Sequence, residues 1–135
     1  MTHPQMFDDD DPVLERVKEL ALAFPDAAMK VSHGRPAFFT TKVFAYYGGS
    51  VKIDGEWRGH DSCVMVLLDP VDREAMLGED RCFVPAYLGP SGWVGVDLDG
   101  VDRTDWDEVA ELLDASYRLT AGVRRVAALD ARVAS

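Results

Sequence analysis

Residues Lys30–Tyr47 read KVSHGRPAFFTTKVFAYY, the longest run of aromatic and β-branched residues in the chain. Val31, Phe38, Phe39, Val43, Phe44, Tyr46 and Tyr47 favour a pleated, partly buried backbone. His33-Gly34-Arg35-Pro36 interrupts them. Gly34 permits a positive φ, and Pro36 biases Arg35 away from the α region. The stretch is therefore expected to form two strands around a rigid polar turn, with Phe38 and Phe44 pinning the sheet to the interior.

The 135 residues suffice for one domain with a sizeable core. No run of 18 apolar residues suggests a membrane span. The start, MTHPQMFDDDD, lacks the basic-then-apolar order of a secretory signal. Two cysteines, Cys63 and Cys82, make no disulfide framework, so reduced thiols in the cytoplasm are expected. The net charge of −10 opposes nonspecific attraction to nucleic acid or an anionic membrane. The charge is uneven. Between Ala27 and His60, Lys30, Arg35, Lys42, Lys52 and Arg58 outnumber Asp54 and Glu56, whereas the rest of the chain holds 9 basic and 22 acidic residues.

Residues 1–11 read as a flexible acidic arm, residues 12–127 as a single domain and residues 128–135 as a C-terminal tail. Asp11 is placed to cap a first helix, with Pro12 at its first position. Val13, Leu14, Val17, Leu20, Ala21 and Phe24 recur at helical spacing behind them. Strands are expected near residues 29–32, 37–40 and 42–47. Gly48-Gly49-Ser50 reads as a turn, Val51-Lys52-Ile53 as a continuation of the sheet, and Asp54-Gly55 as a hairpin turn. Cys63–Leu68 reads as a central strand. A short helix follows over residues 71–77, with Val71, Ala75 and Met76 as its core positions. Residues 81–84 and 93–98 read as further strands around a loop, with Gly95 marking a bulge or a close backbone approach. The periodicity from Trp106 to Thr120 predicts the strongest late helix, preceded by a weak capping signal at Thr104, and residues 123–129 a further short one. Absence of strand–helix alternation argues for an α+β domain, an antiparallel sheet with helices on one face.

His33-Gly34-Arg35-Pro36-Ala37-Phe38, Lys42-Val43-Phe44-Ala45, Pro85-x-Tyr87-x-Gly89, Gly92-Trp93-Val94 and the Trp106–Tyr117 segment occur in an order that resembles the MmcQ/YjbR-like family, over about residues 12–127. The resemblance implies a small fold related in shape to secretion chaperones, with two wing-like β elements. It also implies DNA as a ligand, because members are described as DNA-binding on the strength of that double wing. It carries no established reaction. The family's motif covers His33, Gly34, Pro36, Phe38, Lys42, Phe44 and Trp93.

The main candidate site is the basic set Lys30, His33, Arg35, Lys42 and Lys52, which as one surface would meet the phosphates of double-stranded DNA. A solvated strand face is the competing reading. Gly34, Pro36, Phe38, Phe44 and Trp93 are assigned structural roles. A protein-interaction adaptor, dimeric or paired with another protein through an exposed sheet edge or aromatic patch, is one alternative. A small-ligand enzyme with His33 near a polar pocket is the other. His60 and Cys63 are three residues apart, but Cys63 opens a buried strand, which disfavours a catalytic pair. Two distant cysteines and three histidines form no metal motif, and Gly89-Pro90-Ser91-Gly92 lacks the lysine of a phosphate loop, so neither metal nor cofactor is expected.

Overall fold

A computed structural model describes residues 4–134. The first helix, α1 (Pro12–Leu22), starts where the Asp11 carboxylate accepts a hydrogen bond from the Val13 amide at 2.9 Å, with proline in the first turn. Six strands follow: β1 (Ala28–Ser32), β2 (Arg35–Phe39), β3 (Val43–Ile53), β4 (Glu56–Leu67), β5 (Cys82–Phe83) and β6 (Trp93–Asp97). They form one antiparallel sheet in the order β1-β2-β3-β4-β6-β5. Helix α2 (Pro70–Leu77) separates β4 from β5, and α3 (Gly100–Arg103), α4 (Trp106–Thr120) and α5 (Val123–Ala134) close the chain. This is the expected α+β arrangement.

Strand alternation divides the sheet into two chemically distinct faces. Met29, Phe38, Ala45, Val66 and Val94 lie in one cross-strand row and belong to the main core. Leu14 and Val17 of α1 and Val109, Leu113 and Tyr117 of α4 pack there. Phe44 is fully buried, its ring edge-on to Phe24 and Tyr117. The Ser116 side chain reaches into this core. The Ser116 hydroxyl of α4 donates to the Phe44 carbonyl at 2.5 Å and accepts from the Leu67 amide at 3.0 Å. The other face carries the row Lys30, Ala37, Tyr46, Met65, Gly95 and Phe83. A smaller cluster of Cys63, Met65 and Trp93 lies on this face, with Tyr46, Phe83 and Leu88 against it.

Both tight hairpins turn through two residues of positive φ, His33-Gly34 between β1 and β2 and Asp54-Gly55 between β3 and β4. That geometry matches the right-handed twist of the strands. Several local expectations need correction. Gly48-Gly49-Ser50 is not a turn. It lies inside the eleven-residue β3, where the register against β4 shifts between Tyr47 and Gly49. Gly48, at φ +82°, absorbs the irregularity as a bulge would. Val71 and Ala75 are exposed rather than core, whereas Met76 packs inward as expected and Leu77 joins it. Asp105, not Thr104, caps α4, its carboxylate accepting from the Glu108 amide. Thr104 instead bonds back to the Gly100 carbonyl and so closes α3. Gly95 is a close approach, since a Cβ there would stand 2.1 Å from the Phe83 ring. In the segment read as an arm, the Met6 amide donates to the Gly34 carbonyl at 2.8 Å and Phe7 packs against the core. Helix α5 continues through the segment read as a tail.

Candidate ligand-binding face

The face of the sheet away from α1 and α4 holds the unusual geometry. β2 pairs with β3 only from Ala37 to Phe39, against Tyr46 to Val43, and β6 pairs with β4 only between Cys63 and Leu67. Gly49–Ile53 and Glu56–His60 therefore pair with each other alone. They project past the rest of the sheet as a two-stranded ribbon. The ribbon is braced from one side, where the Ala86 amide donates to the Ser50 carbonyl at 2.9 Å and the Tyr87 ring lies 5.6 Å from that of Trp57. Its outer part carries Lys52, whose ammonium sits 5.4 Å from the Trp57 ring centre, and the exposed Arg58 paired in register with Val51.

Behind the ribbon lies a hollow of about 490 Å³ bounded by the β1–β2 turn, the middle of β3 and the loop of residues 85–88. Arg35 enters it from β2. Its side chain is nine-tenths buried, and Nη2 donates to the exposed Asp61 carboxylate at 3.2 Å. A neighbouring hollow lies under the ribbon, with His60 in its wall. The His60 ring stacks on Phe83 at 3.8 Å, and Nδ1 lies 2.8 Å from the Asp97 carboxylate. An ionised carboxylate only accepts, so Nδ1 carries the hydrogen of this bond.

The basic set does not converge. Lys30 is exposed on edge strand β1, its ammonium 4.6 Å from the Phe39 ring centre. His33 occupies the β1–β2 turn and lines the first hollow. Lys42 stands in the β2–β3 turn at the far end of β2. Lys52 follows ten positions later along β3, about 30 Å away at the rise of a strand. Arg35 is buried and charge-paired rather than part of an outer surface. The assigned structural residues fall into place, with Gly34 at φ +83°, Pro36 in β2, Phe38 and Phe44 in the main core and Trp93 in the smaller cluster. His60 is turned to Asp97, and burial pushes the Cys63 thiol up to about 12 and the Cys82 thiol up to about 11. Both are thus depleted in the nucleophilic thiolate at neutral pH. Among the described residues no three His, Cys, Asp or Glu side chains gather as a metal site, and no helix is long and apolar enough to cross a membrane.

Arg58 on the ribbon and Asp61 beside Arg35 stand outside the basic set that the sequence predicts. Only the Asp54-Gly55 turn signalled the ribbon locally. The partnership of Arg35 with Asp61 spans 26 residues and has no local signature. No curated protein matches the chain. The YjbR family model matches residues 22–119, from the end of α1 to the last turn of α4 and so across the whole sheet. The chain belongs to the YjbR family.

Proposed function

We propose that the protein is a non-enzymatic DNA-binding domain whose leading wing is the β3–β4 ribbon. The observation that carries this reading is the projection of Gly49–Ile53 and Glu56–His60 beyond both neighbouring strands. A two-stranded ribbon fits the major groove of a duplex. Lys52 and Arg58 supply cations for phosphates, and Lys30 on the β1–β2 hairpin supplies one for a second wing. Asp54 and Glu56 at the ribbon tip, together with the acidic remainder, keep nonspecific attraction weak. The expected mode is therefore modest binding, strongly dependent on ionic strength.

Fluorescence anisotropy with a labelled duplex, titrated across salt concentrations, tests the reading. Lys52→Glu and Arg58→Glu should each weaken binding and lower the salt slope by about 1. Arg124→Glu, on exposed α5, should leave both unchanged. Absence of binding by the folded protein at low salt, or equal losses for all three variants, would reject the wing.

A further inference from the structure

The hollow under the ribbon has a volume of about 630 Å³ and gathers apolar side chains that the fold leaves in solvent. Ile53, Trp57, Val84 and Tyr87 line it, and all four are exposed. They are four of the eleven exposed large hydrophobic side chains among the described residues, so the exposure is concentrated here. Single exposed apolar residues need no explanation, whereas a contiguous cluster marks a contact surface. Tyr87 is the extreme case. It is 82% exposed, and its backbone sits at φ +64°, in the left-handed region that residues other than glycine enter at a cost. The half-exposed Trp57 ring lies beside it, the two planes inclined by 37°. The Lys52 ammonium approaches that Trp57 ring and is the one lysine or arginine charge in the described wall. No aspartate or glutamate among the described residues lines the hollow, although the chain carries 24 acidic residues.

We propose that this surface receives an unpaired base of the DNA that the ribbon grips, the base stacked against Tyr87 and Trp57 and its phosphate beside Lys52. The inference rests on the duplex reading of the ribbon and adds what the preferred target carries, a nucleotide outside the stack. Exposed aromatic rings beside a cation are the combination that holds single-stranded nucleic acid, because every base offers a flat π face and every nucleotide a negative charge. The aliphatic side chains of Ile53 and Val84 extend the apolar floor beyond the rings. An intact duplex keeps its bases stacked and yields one only at a cost, whereas a bulged base is already free. A second copy of the chain fits less well. A two-fold contact centred on the hollow would bring the two Lys52 ammonium groups together.

Fluorescence anisotropy at low salt with three labelled duplexes of one sequence tests this. The first is intact, the second carries a single bulged deoxyadenosine, and the third carries a bulged abasic nucleotide. The deoxyadenosine bulge should bind about tenfold more tightly than the intact duplex, the return from one stacked base. The abasic bulge supplies the extra phosphate and the flexible joint without the ring, and should bind like the intact duplex. In Tyr87→Ala the affinity ratio of deoxyadenosine bulge to intact duplex should fall to near one, and in Tyr87→Phe it should persist. Both variants alter an exposed side chain, and far-UV circular dichroism checks that each is folded. Equal affinity of the parent for all three duplexes would overturn the inference and leave the wing standing, whereas no binding of any of them would remove both. An abasic bulge as tight as the deoxyadenosine bulge, or a preference that survives Tyr87→Ala, would also overturn it. Sedimentation velocity of the protein alone supplies the remaining arm. Self-association that Tyr87→Ala abolishes would assign the surface to a second copy and overturn the base-stacking assignment.

Discussion

Phe44→Ala is expected to lower the unfolding free energy by roughly 3–5 kcal/mol, the range for deleting a fully buried aromatic ring. Phe44 is inaccessible to solvent, and its ring meets Phe24 at 5.7 Å and Tyr117 at 5.3 Å, both edge-on. Those two rings in turn stack on each other at 4.8 Å, so the three close a triangle between the turn that follows α1, β3 and α4. Removing one corner leaves a cavity that the others fill only by breaking their own contacts. Urea denaturation followed by far-UV circular dichroism measures the effect. Equal midpoints for variant and parent would refute the assignment of Phe44 to the centre of the core.

Ser116→Ala is expected to cost roughly 2–4 kcal/mol, far more than its single hydroxyl suggests, because it strands two backbone groups at once. The Ser116 side chain is fully buried and serves both the Phe44 carbonyl and the Leu67 amide. β3 and β4 are neighbours here, and α4 is thereby bonded to both strands through one oxygen. Each buried group without a partner costs about 1–3 kcal/mol. Ser116→Thr keeps the hydroxyl and should lose less. If Ser116→Ala proved as stable as the parent, the bridge would contribute nothing. Thermal unfolding of the three proteins gives the comparison.

The residues that were easy to read are those whose environment is set by their neighbours in sequence. Asp11-Pro12 announces a helix start through local capping chemistry, and Asp54-Gly55 announces a hairpin through φ preference. Phe38 and Phe44 are core because large aromatics in strands have nowhere cheaper to go. The misreadings have a common origin in long-range geometry. Gly48-Gly49-Ser50 carries every local mark of a turn, yet the glycines serve close approach by Arg35 and Met65 from neighbouring strands. Arg35 looks like a surface cation until Gly48 removes the wall beside it and Asp61 arrives from β4. Val71 follows a core pattern only in a helical register that α2 does not adopt. The charge excess in residues 27–60 was plain in the sequence. Its scattering along strand lengths was not, since two lysines on one strand are separated by its rise rather than joined by its composition.

The ribbon has a consequence for how the molecule opens. Val64–Val66 of β4 lie between β3 and β6 and beneath the helices, so their amides should exchange with solvent deuterium only when the whole domain unfolds. Lys52 and Trp57, bonded to each other's strand and largely exposed, should exchange through local fraying at much lower free energy. The protein is thus built in two tiers of rigidity, a slow platform and a fast tip. Whatever grips the tip would show itself first as a slowing of that fast exchange, before any change in the platform.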